Sequence, residues 1–123
     1  MARFPRERRV HRSAEIRAIV GEGRSADGPH LRVHVCFEPG RASPARAVVV
    51  VPRFRRTAVE RNRVKRRLRE LVRLHLLEAP ELRGGAFVIK ARPGAYGRTF
   101  AELREELLDV LPRVTQEPGC EEL

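Results

Sequence analysis

The chain has 123 residues, of which 41% are hydrophobic; this is enough for one compact domain with a single core and too little for two. The apolar content excludes a basic disordered tail. A formal net charge of +10 and a pI near 11.3 favour a polyanionic partner. No run approaches the ~20 apolar residues of a membrane span, and the charged residues 1–12 lack the apolar stretch of a signal peptide. We therefore expect a cytoplasmic protein with no membrane partner.

The chain is predicted to begin with a basic, extended segment and a short helix. Ser13 is suited to be the N-cap of this helix, and Gly21 and Gly23 are expected to end it. The residues that share its apolar face are Ile16, Ile19 and Val20. Residues 23–29 have the composition of a turn.

Two strands are predicted next. Residues 31–37 alternate apolar with polar side chains, which indicates a half-buried strand. Residues 46–51 are β-branched and apolar on both faces, which is typical of a central strand. Cys36 and Cys120 have no cysteine or histidine at ligand spacing, so they predict no metal site.

The most basic part of the chain is predicted to be an amphipathic helix. Thr57 and Glu60 have the spacing of a capping box, which would begin the helix just before its arginines. Its apolar side is formed by Val64, Leu68, Leu71 and Val72. The opposite side, within an arc of roughly 60°, carries Asn62, Arg66, Arg69 and Arg73, with Lys65 at its edge. So dense a face of guanidinium groups favours phosphate, and hence nucleic acid, as its partner.

The remainder is predicted to add one strand and one helix. Pro80 ends the basic helix, residues 86–91 form the third strand, and a second capping box from Thr99 to Glu102 opens the last helix. The order is therefore helix, strand, strand, helix, strand, helix, an α/β (α+β) two-layer sandwich; a further short strand near the N-terminus or around residues 37–46 is left open. We expect one domain over residues 1–112 and a polar, acidic, disordered tail over residues 113–123.

The basic helix also carries a specific resemblance. Residues 58–70, Ala-Val-Glu-Arg-Asn-Arg-Val-Lys-Arg-Arg-Leu-Arg-Glu, resemble the signature of the protein component of bacterial ribonuclease P. Residues 11–24 are similar to the first helix of that family, residues 29–35 to its first strand, and residues 87–94 to the strand after the signature helix. The resemblance extends over roughly residues 6–111.

This resemblance implies a fold and a function. It implies an α-β sandwich whose β-α-β crossover is left-handed, against the usual rule. It further implies that the chain binds one copy of the catalytic RNA and that the ribonucleoprotein removes the 5′ leader of precursor tRNA. In that family the RNA, with Mg²⁺, carries the chemistry, so no protein catalytic residue and no protein-bound cofactor are expected.

The resemblance also implies site residues. The positions that match RNA contacts are Arg61, Asn62, Arg63, Lys65, Arg66 and Arg69, and we add Arg53 and Arg73 from the same basic region. The leader is expected in a cleft between the first helix and the sheet, lined by Ile16, Val20, Leu31, Val33 and Phe54. Relatives usually carry aromatic residues where Ile16 and Val20 stand, and lack an aromatic at Phe54.

Three other classes of function make different demands on the sequence. A structural protein of the ribosome would bind RNA through the same kind of module without promoting cleavage. A DNA-binding regulator would need a second helix at turn distance before the basic helix, and none is predicted. A self-sufficient nuclease would need an acid–base or metal set, which the scattered histidines and the outward carboxylates of the last helix do not supply.

Overall fold

A computed structural model describes residues 9–10, 13–40 and 43–115. These described residues form three α-helices, a four-stranded sheet and two short 3₁₀ helices, which establishes the predicted α+β class. In chain order the elements are α1 (Ser13–Glu22), β1 (Arg24–Asp27), β2 (Leu31–Phe37), β3 (Arg46–Val50), α2 (Ala58–His75), the 3₁₀ helix Pro80–Leu82, β4 (Gly85–Ala91), the 3₁₀ helix Pro93–Gly97, and α3 (Phe100–Thr115).

The strand order in the sheet is β1-β2-β4-β3. β2 pairs antiparallel with both β1 and β4, whereas β3 and β4 are parallel neighbours connected through α2. The prediction of a turn over residues 23–29 is wrong for β1. This strand is polar and lies at the edge of the sheet, with only Ala26 packed against the core, so its own sequence gave no strand pattern.

Helices pack on both faces of the sheet. α2 and α3 cover one face and enclose the larger core, to which β2 contributes Leu31, Val33 and Val35 and β4 contributes Phe87 and Ile89. This half of the molecule is the predicted two-layer sandwich. α1 lies across the other face, where Ile19 packs in a smaller cluster with Val10, Ala86 and Val88.

The crossover from β3 through α2 to β4 is left-handed. Ala47 lies in the core shared with α2, and its carbonyl accepts a hydrogen bond from the Val10 amide at 3.1 Å, on the side away from β4. Consider a strand that runs upward from its N-terminus to its C-terminus. Where the side chain of an L-residue points toward the viewer, the N–H and C=O of the same residue point to the viewer's right. Seen from α2, Val10 is therefore on the right and β4 on the left, which makes the connection left-handed, the rare hand for a parallel pair.

Three helix ends differ from the predictions. α1 continues through Gly21 to Glu22, and α2 ends at His75, five residues before Pro80. α3 continues through Pro112 to Thr115 because Leu111 and Val114, on either side of the proline, are buried and hold the helix against the core. Residues 113–115 of the expected tail thus lie in α3, and residues 116–123 lie outside the described part of the chain.

Candidate nucleic-acid interface

The exposed side of α2 carries a continuous basic surface, here called the arginine face: Asn62, Lys65, Arg66, Arg69 and Arg73. Asn62, Arg66 and Arg73 are exposed, and Lys65 and Arg69 are half-buried. The opposite side of the helix packs fully into the core through Val64, Leu68, Leu71 and Val72. Because the core fixes the rotation of α2, the arginine face is presented to solvent by a rigid element.

The capping box predicted at the start of α2 is present. The Glu60 amide donates to the Thr57 hydroxyl at 3.1 Å, and the Thr57 amide donates to Glu60 Oε1 at 3.0 Å. The hydrogen bond from the Thr57 backbone, followed by the charge of Arg56, lowers the pKa of Glu60. Glu60 therefore serves the helix terminus, where a negative charge is favourable, and does not interrupt the arginine face.

Two arginines of α2 are held by backbone carbonyls. Arg61 Nε donates to the Val51 carbonyl at 2.7 Å, and an Arg67 guanidinium nitrogen donates to the Arg98 carbonyl at 2.8 Å. Arg61 is one of the residues that match the family signature. Its hydrogen bond to Val51 joins the start of α2 to the residue that follows β3. Arg63 is exposed and lies to one side of the arginine face.

Crowding of positive charge is evident at Lys65. Partial burial, and then the nearby charges of Arg61 and Arg69, lower the pKa of Lys65. Among the residues of the arginine face, Arg73 has an acidic neighbour in Glu70, whose Oε1 is 3.2 Å from Arg73 Nε. A bound polyanion would relieve this repulsion, which is the electrostatic property expected of a phosphate-binding surface.

The loop before α2 is a strained turn. Phe54 and Arg55 both have positive φ, at 47° and 65°, and the Arg56 amide donates to the Arg53 carbonyl at 2.7 Å. Consecutive left-handed residues without glycine cost energy and occur preferentially at functional sites. The turn places Arg53, Arg55 and Arg56 as exposed cations beside the start of the arginine face.

On the other face of the sheet, α1 leaves an open groove of about 400 Å³. The groove has an apolar floor and wall, with cationic side chains at its rim. Its lining residues are Ile16, Arg17, Val20, Gly21, Val50, Val88 and Lys90. Ile16 and Val20 thus lie where the sequence placed them. Val50, which ends β3, is followed by Val51, the acceptor of the Arg61 bond, so the groove and the start of α2 share one edge of the sheet.

Two of the residues predicted to line the leader cleft do not line this groove. Leu31 and Val33 are 0% exposed and belong to the core under α2 and α3, on the sheet face opposite the groove. Because side chains alternate along a strand, it is Arg32 and His34 that face α1. Phe54 is not among the lining residues; its ring is 40% exposed and packs edge-on against Tyr96, with centroids 6.3 Å apart.

The groove contains basic residues that sequence reasoning missed. Arg17 and Lys90 line it, and Arg32 is the register partner of Lys90 on the neighbouring strand. Lys90 was the strongest sequence signal, since it is the only charged residue in the otherwise apolar strand Gly85–Ala91. Its meaning depends on the pairing of β2 with β4, which the sequence alone did not provide.

His34 is a buried histidine whose pKa responds to the positive charge beside the groove. It is 4% exposed, and neither ring nitrogen has a hydrogen-bond partner among the described residues. Burial, then the charges of Arg32 and Lys90, lower the pKa of His34, against an opposing contribution from Asp27.

Replacing Lys90 with methionine is therefore expected to raise the pKa of His34. The reason is that one of two positive charges acting on the ring is removed while its burial is kept. An NMR titration of the histidine ring protons measures this shift, with Arg104→Met on the exposed side of α3 as the control. An unchanged His34 titration in Lys90→Met would contradict this placement of the lysine.

Among the described residues there is no group of three or more histidine, cysteine, aspartate or glutamate side chains that could hold a metal ion. None of the described helices is both long and apolar enough to cross a membrane.

Comparisons with known proteins place this chain near one family of proteins. A family model described as Ribonuclease P matches residues 4–115. The chain is 38% identical over 111 residues to the ribonuclease P protein component of Xanthomonas oryzae pv. oryzae, covering 90% of this chain and 73% of that protein. It is 39% identical over 110 residues to that of a Nocardioides species, covering 89% and 92%.

Solved structures resemble this fold as well. The RNase P protein from Thermotoga maritima aligns with a TM-score of 0.74 and 26% identity, covering 88% of this chain and 98% of that one. The RNase P protein of Staphylococcus aureus aligns with a TM-score of 0.76, covering 88% and 95%; at 23% identity this likeness concerns the fold alone.

Proposed function

The chain belongs to the family of bacterial ribonuclease P protein components, and from this premise we propose that it promotes removal of the 5′ leader from precursor tRNA. It does so by binding both the catalytic RNA of the ribonucleoprotein and the precursor. Family membership implies an RNA partner and a ribonuclease activity of the assembled particle. The proposal adds the substrate, the contacts and a 1:1 ratio of protein to catalytic RNA.

The observation that carries the proposal is the arginine face on a rigid helix. Guanidinium groups pair bidentately with phosphate, and because the core already fixes the helix, its backbone needs no ordering on binding. We assign the catalytic RNA to this face and to the basic residues around it: Arg53, Arg61, Asn62, Arg63, Lys65, Arg66, Arg69 and Arg73. Arg61 combines this role with its bond to Val51.

The 5′ leader is assigned to the groove beside α1. Ile16 and Val20 offer apolar contact there, in place of the aromatic stacking that is worth about 1–3 kcal/mol per base. Because the groove and the start of α2 share one edge of the sheet, a leader in the groove would continue from RNA bound at the arginine face. Phe54, in the strained turn before α2, lies outside the groove and is given no contact with the leader in this proposal.

The cleavage chemistry is assigned to the RNA, which also holds the Mg²⁺. The role of the protein is electrostatic: by neutralising phosphates of both RNAs, it reduces the repulsion between catalytic RNA and precursor. Less Mg²⁺ is then needed to bring them together. The proposal therefore concerns the rate at low Mg²⁺ above all.

We expect this protein to stimulate cleavage of a 5′-extended precursor tRNA by a bacterial ribonuclease P RNA at low Mg²⁺. Product length on a sequencing gel measures whether the cut is at the mature 5′ end. The same RNA at high Mg²⁺ without protein shows that the RNA is active, and protein alone is expected to cut nothing. Tight, salt-sensitive RNA binding with no stimulation would instead indicate a structural RNA-binding role.

A further inference from the structure

The groove side of the sheet contains an unfavourable pair of residues. Arg32 on β2 and Lys90 on β4 are directly opposite one another in the antiparallel register. Like charges in directly opposed positions destabilise a sheet. Both side chains point to the face crossed by α1, because their strand neighbours Leu31, Val33, Ile89 and Ala91 belong to the core on the other face and side chains alternate along a strand.

Neighbouring acidic groups do not balance this charge. Asp27 on β1 pairs with Arg32, with Oδ1 3.1 Å from Nε, and the same oxygen is 3.6 Å from a guanidinium nitrogen of Arg92. Within the described residues, no carboxylate forms an ion pair with Lys90 or with Arg17. Asp27 therefore offsets part of the charge of Arg32 and Arg92, and it pairs with neither of the two cations that line the groove.

The rest of the described groove lining is apolar. It includes Ile16, Val20, Val50 and Val88, and none of the lining residues that the structure describes is phenylalanine, tyrosine or tryptophan. Such a surface can contact the flat side of a base or ribose but cannot stack with it as an aromatic ring does. Unbalanced cations beside an apolar strip match the alternating phosphates and sugars of an extended single strand.

We propose that Lys90 and Arg32 hold the phosphodiester backbone of single-stranded RNA in this groove, so that the leader is held by charge and not by base stacking. The inference rests on the proposed function, because it takes the leader as the strand concerned. Two consequences follow from backbone contacts. Leader binding tolerates any base sequence, and it weakens with salt by a log–log slope of about 0.7 per phosphate contacted.

The first test uses the free protein and a short RNA backbone without bases, in which the only ligand groups are ribose and phosphate. A phosphate beside Lys90 and Arg32 offsets the two charges that depress the pKa of His34, and Asp27 is the remaining charged group near the ring. The His34 pKa, measured by NMR, is expected to rise on addition of this abasic RNA. Lys90→Arg should retain the rise and Lys90→Met should lose most of it. No rise in the wild-type protein would overturn the proposal.

The second test uses the holoenzyme and compares a precursor tRNA carrying an eight-nucleotide leader with mature tRNA. The ratio of the two affinities is expected to fall about 3- to 10-fold in Lys90→Met, to be restored in Lys90→Arg, and to be unchanged in Arg104→Met. Changing the leader sequence should alter the ratio less than the methionine substitution does.

The outcomes separate this inference from the proposed function. A wild-type holoenzyme that prefers the leader-bearing precursor, and keeps that preference in Lys90→Met, overturns the inference and leaves the function standing. A wild-type holoenzyme with no preference for the leader contradicts the leader role on which the inference rests. An acidic peptide that displaces the abasic RNA from the groove at a lower concentration than RNA itself, as followed by the His34 pKa, would overturn the choice of ligand.

Discussion

Replacing Arg66 and Arg69 together with alanine is expected to weaken binding of the catalytic RNA by about 10- to 100-fold at low salt. Both side chains project from the arginine face, with Arg66 exposed and Arg69 half-buried. The described hydrogen bonds and ion pairs give neither of them a protein partner. Their removal therefore leaves the fold intact and takes away two phosphate contacts.

The salt dependence makes this prediction specific. With two fewer contacts, the slope of log affinity against log salt should be shallower by about 1.4 to 1.8 units. A filter-binding or fluorescence titration at several salt concentrations measures both quantities. Arg104→Ala, on the exposed side of α3, removes a positive charge elsewhere and should leave the slope unchanged. Equal losses of log affinity per positive charge removed, in the double variant and in Arg104→Ala, would mean that net charge, and not the arginine face, binds the RNA.

Local patterns sufficed for most of the fold. The strands at residues 31–37, 46–50 and 85–91 have apolar runs or alternation that do not depend on the rest of the chain. Both capping boxes are likewise complete within four residues, and the second is closed by the Glu102 amide donating to the Thr99 hydroxyl at 3.1 Å. The arginine face follows from helical periodicity alone.

Features that depend on tertiary pairing could not be predicted in this way. β1 is a strand because it pairs with β2, although Arg-Ser-Ala-Asp has little β-propensity of its own. The alternation in β2 correctly placed Leu31 and Val33 on one face, but it could not tell which helices cover that face. Arg32 and Lys90 are far apart in the sequence and become neighbours only through the pairing of β2 with β4.

Replacing Glu106 with alanine is expected to lower the free energy of unfolding by about 3 kcal/mol, because it leaves two backbone donors without an acceptor. The Glu106 side chain is 7% exposed. Its Oε2 accepts from the backbone amides of His30 and Leu31, at 2.6 and 2.7 Å, and its Oε1 lies 2.8 Å from His30 Nδ1. One carboxylate of α3 thus fixes the turn where β2 begins.

Thermal unfolding measures this effect, and a fall of about 10 °C or more is expected. Glu105→Ala, on the same helix but exposed, should change stability by less than about 0.5 kcal/mol. Glu106→Gln keeps an acceptor oxygen and should lie between the two. If Glu106→Ala and Glu105→Ala unfolded alike, the carboxylate would not be what holds the start of β2. Because Leu31 directly precedes Arg32, the same carboxylate anchors the end of β2 from which Arg32 points to the opposite, groove face of the sheet.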